Sequence, residues 1–203
     1  MKPLLVLAAF PMVLMGWASC SHSGTGHAAL PDPRAVDKSV PEYKNPFHPS
    51  TYAHFVARKD YRKTYDVYKD DTLLNRQPKK SRKIFVCLDE QRGQYLVDGL
   101  VAMDFPLSSG VKAYPTKTGD YAVISKKEDH TSNLYGKMYD AEGKCINYNA
   151  ESTDPVPEGG RFDGSPMPYW QRLTNAGLGL HVGKVRRHPV SHGCVRLPRN
   201  VAE

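Results

Sequence analysis

Cys194, with His192 two positions before it and His181 thirteen positions before it, carries the parts needed for nucleophilic catalysis. A free thiol titrates near about 8.5, so little thiolate exists at neutral pH unless a base takes the proton. An imidazole can do so and later return the proton to a leaving group. Gly193 allows a tight turn and leaves room beside the sulfur. The Gly193 and Cys194 amides can then face a developing oxyanion. Ser191 suits fixing the turn or orienting an imidazole. Arg196 can hold a substrate carboxylate through its planar fork, a structural ion pair being its other reading. The chemistry is acyl transfer through a thioester. On the residues alone the base is open between His192, close in sequence, and His181, which follows Gly177-Leu178-Gly179-Leu180 and reads as a strand end.

His181, His188, His192 and Cys194 lack the paired spacings of a zinc site, so no metal is expected, and acyl transfer requires no organic cofactor. Tyr114, Tyr169 and Trp170 offer apolar faces with polar tips that could line a cleft, although core packing accounts for at least one of them.

These residues must be positioned by a mainly β framework. Residues 83–88 and 94–97 read as strands, and Asp98-Gly99 signals a tight hairpin to a strand at 100–103. Tyr121-Ala122-Val123-Ile124 reads as a further strand. Residues 126–168 are polar and broken by Pro155, Pro157, Gly159 and Gly160, which predicts a flap over the cleft or a disordered loop. Upstream, the aromatic residues between Tyr52 and Tyr68 predict short helices or turns that pack on the main domain.

Ser191-His192-Gly193-Cys194-Val195-Arg196 resembles the signature of the L,D-transpeptidase (YkuD-type) catalytic domain. Further segments match that family in order: Lys83–Leu88, Gln94–Gly99, Pro106-Leu107-Ser108-Ser109-Gly110, Pro115–Tyr121, Met167-Pro168-Tyr169-Trp170 and Gly179-Leu180-His181. The resemblance implies a β-sandwich with short helices and a flap insertion. It implies Cys194 as nucleophile, His181 as proton acceptor and donor, and His192 and Gly193 as shapers of the site. Arg196, Tyr169, Trp170 and Ser191 are the expected substrate-side residues. The implied partner is a peptidoglycan stem tetrapeptide, joined to an amine by 3–3 cross-linking in cell-wall remodelling. The alternatives are an L,D-carboxypeptidase or a non-catalytic wall-binding or adaptor module. The nine residues between His181 and Ser191 resemble a short form of the family's loop. Family domains usually continue past the position of Glu203 into a helix and a last strand, so the catalytic domain is expected to be truncated or atypical there.

The 203 residues leave room for one domain and an extension. A charged fraction of 24% with 40% hydrophobic residues suits a soluble globular protein. The net charge of +7 comes without any nucleic-acid motif; on charge alone an anionic wall polymer or membrane surface is an equal candidate partner, and simple solubility is the plainer reading. Residues 1–20 read as a secretion signal whose apolar run is too short to span a bilayer. Trp17-Ala18-Ser19-Cys20 resembles a lipoprotein cleavage box, with Cys20 the lipidated first mature residue. Residues 21–80 then form a tether and an N-terminal extension, and 81–203 the catalytic domain. An exported, envelope location follows. Cys87, in an apolar strand, reads as a buried small side chain, with a Cys87–Cys145 bridge as the alternative.

Overall fold

The computed structural model describes residues 32–39, 43–77 and 81–203, all within one unit spanning 31–203. The secretion signal, Cys20 and the tether residues 21–31 and 40–42 lie outside the described residues. In chain order the elements are α1 (Tyr52–Ala57), β1 (Tyr68–Lys69), α2 (Asp71–Leu74), β2 (Arg82–Cys87), β3 (Arg92–Val97) and β4 (Leu100–Pro106). They continue as β5 (Ser125–Lys127), β6 (Thr131–Tyr139), β7 (Cys145–Glu151), β8 (Arg161–Pro166), β9 (Trp170–Arg172), β10 (Gly179–Val182), β11 (Val195–Leu197) and α3 (Arg199–Ala202). Among the described residues no helix is long and apolar enough to cross a membrane.

The first sheet is antiparallel, in the order β1-β4-β3-β2. Its central hairpin closes at Asp98 and Gly99, both with positive φ (52° and 85°), as a type I′ turn requires. The second sheet runs β11-β10-β9-β5, with β10 and β11 parallel and the other pairs antiparallel. The main core combines Met103 and Phe105 of β4 with Leu107, Leu180, Val195, Leu197 and Ala202. Burying each of the larger side chains stabilises the fold by about 1.5–3 kcal/mol.

β4 is buried on both faces, which explains its unbroken run from Ala102 to Pro106. Met103 and Phe105 point to the core, and Asp104 points the other way. The N-terminal extension covers that second face. The Asp104 carboxylate meets Arg92 at 2.6 Å and accepts hydrogen bonds from the Tyr52 and Tyr61 hydroxyls at 2.7 and 2.8 Å. Arg92 also donates to the Thr64 carbonyl and lies 4.8 Å from the Tyr61 ring centre. Gln94 donates to Tyr52 Oη at 2.6 Å. Burial and the neighbouring Asp104 charge push the Tyr61 hydroxyl up to about 12, so it stays a donor. The expected packing of the 49–78 segment is therefore realised through this polar knot.

Four sequence readings are sharpened or corrected. Part of the tether is fastened down: Lys38 Nζ donates to the carbonyls of Val56 (2.7 Å) and Arg58 (3.0 Å) at the end of α1, and Tyr43 donates to Ala57. Tyr121 to Ile124 is not a strand, because Tyr121, Val123 and Ile124 are exposed and only the Ile124 amide joins the sheet, through the Arg172 carbonyl. The polar insert is ordered as a third antiparallel sheet, β7-β6-β8, whose side chains are largely exposed. Cys87 is buried, as its apolar strand predicts, and Cys145 is a free thiol, so the Cys87–Cys145 bridge does not form.

Candidate active site

Strand alternation assigns the site its face. Leu180 and Val195 are cross-strand partners on β10 and β11 and enter the core. The next pair, His181 and Arg196, therefore faces the opposite side, as does Cys194, one residue before Val195.

The turn around Cys194 is held by the segment leaving β4. Ser108 and Arg196 exchange two backbone hydrogen bonds, at 3.1 and 2.8 Å. The Ser109 carbonyl accepts from the Val190 and Ser191 amides, and Val111 N–H donates to the Ser191 carbonyl. Thr116 Oγ1 accepts from Gly110 N–H at 2.8 Å and donates to the Gly193 carbonyl at 2.6 Å. Gly110 must be glycine here, since a Cβ would collide with the Tyr114 carbonyl and lie 2.9 Å from the Gly193 Cα. Gly193 has φ +112°, a conformation open chiefly to glycine. Its amide donates to Ser191 Oγ at 3.2 Å, and Ser191 Oγ donates to the Cys194 carbonyl. Ser191 thus fixes the turn, and the Gly193 amide is already engaged.

The half-buried Cys194 thiol donates to the Gly177 carbonyl at 3.4 Å. Burial pushes its pKa up, while the Gly179 amide and the Arg196 charge oppose that rise. Gly179 and Gly177, the latter at φ +90°, form the seat of the sulfur. The sequence reading had taken this stretch only as the approach to His181.

His181 is 6% exposed. Its Nδ1–H donates to the Val182 carbonyl at 2.8 Å, which leaves Nε2 as the free lone pair. Burial lowers its pKa to about 4, and the Arg196 and His130 charges act in the same direction. At neutral pH the ring is a neutral acceptor. His181 and Cys194 each bond to backbone and not to each other, so the pair rests as imidazole and thiol. Arg196 is half-buried and forms no ion pair among the described residues.

His192 is exposed and stacks on Tyr135 of β6 at 4.4 Å and against Tyr114 at 4.6 Å. The sequence reading missed Tyr135; the Cys194 charge contributes to raising its hydroxyl pKa, after burial and the Glu151 and Tyr114 charges. Nothing in the polar insert distinguished this tyrosine from its neighbours. Trp170 is placed differently from expectation. At 3% exposure it packs behind His181 (6.1 Å between ring centres) and under His130 (5.0 Å). Gly179 makes room for it, since a Cβ there would overlap the indole. Tyr169, at φ +54°, donates to Glu128 at 3.5 Å and lies 5.4 Å from the Arg199 guanidinium, so its contacts run to α3 and β5's trailing loop.

No curated protein matches the chain. Among solved structures, a catalytic domain of an Enterococcus faecium L,D-transpeptidase is 28% identical, with 60% of this chain and 84% of that one covered at a TM-score of 0.41. An L,D-transpeptidase from Stackebrandtia nassauensis is 21% identical over 74% and 58% of the two chains, at a TM-score of 0.43. One from Mycobacterium smegmatis is 22% identical over 57% and 48%, at a TM-score of 0.41, so this chain spans about half of that protein's length. The family model described as the L,D-transpeptidase catalytic domain matches residues 81–203, a stretch that carries β2 to β11 and the turn around Cys194. By that match over more than half of its length, the chain belongs to the L,D-transpeptidase catalytic domain family.

Proposed function

We propose that this chain is an exported peptidoglycan L,D-transpeptidase that works through a thioester on Cys194. The observation that supports it best is the β10–β11 face. A thiol seated on the Gly177–Gly179 backbone shares it with a tautomer-locked imidazole and with an arginine that forms no ion pair among the described residues.

His181 Nε2 takes the Sγ proton as the sulfur attacks the carbonyl carbon at the L-centre of the third residue of a stem tetrapeptide. The Cys194 amide serves the oxyanion; the Gly193 amide joins once it leaves Ser191 Oγ. The bond to the terminal D-alanine breaks, and the imidazolium protonates the leaving amine. Its low pKa makes it a strong acid for that step. An amine from a neighbouring stem then attacks the thioester, passes its proton to His181 and forms the 3–3 cross-link, and the proton returns to sulfur. Water in place of the amine gives L,D-carboxypeptidase activity. Arg196 holds a substrate carboxylate. The location is the cell envelope, with a lipidated Cys20 as the membrane anchor.

Mass spectrometry of digested cell wall, with the protein and with Cys194→Ala, tests this. New 3–3 dimers that vanish in the variant are expected. Tripeptide products alone reassign the protein as a carboxypeptidase, and an unchanged wall contradicts both enzymatic readings.

A further inference from the structure

On the far side of the segment that holds the catalytic turn lies a cavity of about 400 Å³, lined by Arg62, Lys63, Tyr65, Asp89, Glu90 and Arg187. It brings together the N-terminal extension, the β2–β3 turn and the loop between His181 and Ser191. Among the described residues, none of its five charged side chains takes part in an ion pair. Arg187 donates to the carbonyls of Arg62 and Glu90, yet its buried Nε has no acceptor. Burial, and the neighbouring Arg92 charge, disfavour the Arg187 cation as it stands. Arg187 is half-buried, and it is the Nε–H that sits out of water without an acceptor; an anionic ligand would supply one. The lining also carries two carboxylates, so a simple anion satisfies only one side.

We infer that this cavity is a second ligand site, which takes a small zwitterion with its carboxylate against Arg62, Lys63 and Arg187 and its ammonium against Asp89 and Glu90. Free amino acids and short peptides with free ends are the fitting chemical class. The site stands on its own residues and does not depend on the role assigned to Cys194. It is nonetheless wired to the catalytic turn. Tyr65 donates to the Arg186 carbonyl at 3.1 Å, and Arg186 N–H donates to Ser108 Oγ at 2.7 Å. The side-chain amide of Gln91, next to Glu90, donates to Ser109 Oγ at 2.7 Å and accepts from the Ser109 N–H at 3.0 Å, and Ser109 in turn holds Ser191.

The test is amide and guanidine NMR of the full chain titrated with glycylglycine, a zwitterion. N-acetylglycine and glycinamide, which carry only the carboxylate or only the ammonium, are the controls. Saturable shifts at Arg62, Lys63 and Arg187 Nε–H are expected with glycylglycine, at least about tenfold tighter than with either control. The double variant R62Q/K63Q, whose altered side chains make no hydrogen bonds in the fold, should weaken binding by a similar factor. Equal affinity for N-acetylglycine overturns the zwitterion assignment. Shifts that fail to saturate, or that persist in the double variant, overturn the site.

Discussion

The face of β4 beneath the N-terminal extension and the face of β10 beside Cys194 treat buried polar groups in opposite ways. Around Asp104, every strong valence is met inside the protein, by one guanidinium and two hydroxyls on a single carboxylate. Around Cys194, the valences stay open among the described residues: Arg196 forms no ion pair, and His181 bonds through Nδ1 and leaves Nε2 free. Removing one member of a closed cluster leaves an unpaired buried charge and costs stability. Leaving a group open costs stability in the native fold and is repaid only when a substrate arrives. The knot is thus placed to serve folding, and the open face is the one the proposed chemistry would use.

The contrast can be broken at either end. His181→Gln should slow acylation by about 10²–10⁴-fold while the melting temperature holds or rises; an equal loss confined to His192→Gln would move the base to the residue stacked on Tyr135. Asp104→Ala should lower stability by about 3–5 kcal/mol in denaturant unfolding, and a change near zero would show that the knot does not hold the extension in place. Arg196→Gln should cut kcat/KM by about 10–100-fold, the worth of a charge-assisted hydrogen bond, with little effect on unfolding. The reverse pattern would make Arg196 a structural residue.

A smaller effect follows from His181 and pH. In the unfolded chain its imidazole titrates near 6.5, and in the fold near 4 because of burial. Between these values the unfolded state binds the extra proton, so stability falls as pH drops from about 6.5 to about 4, by up to roughly 3 kcal/mol. Above that window the contribution is complete. H181Q should flatten this part of the stability curve, and an identical slope in wild type and variant would place the titration elsewhere.

The nucleophile was legible because its motif is local: Ser191 to Arg196 encode a turn, a thiol and a charge within six residues. Asp98-Gly99 was legible for the same reason, since turn chemistry is written in the turn itself. The groups contributed by backbone were not legible. The seat of the sulfur on Gly177 and Gly179, and the Val182 carbonyl that orients His181, depend on how β10 lies against β11 rather than on any side chain. Tyr121 to Ile124 misled because an apolar run says nothing about whether a neighbouring strand is available to pair with it. The third sheet was hidden for a different reason. With both faces largely in water, it carries no alternation to read. Trp170 was read as cleft lining on residue type alone, and its burial behind His181 depends on the absence of a side chain at Gly179.

The most direct test of the central claim is intact-mass analysis with peptide mapping after exposure to a carbapenem, a thiol-acylating β-lactam. Two free thiols compete among the described residues, Cys145 on the insert and Cys194 on the open face. One adduct per chain, mapped to Cys194 and absent in Cys194→Ser, is the predicted result. An adduct carried by Cys145, or a folded wild-type protein that takes up none, would contradict the account.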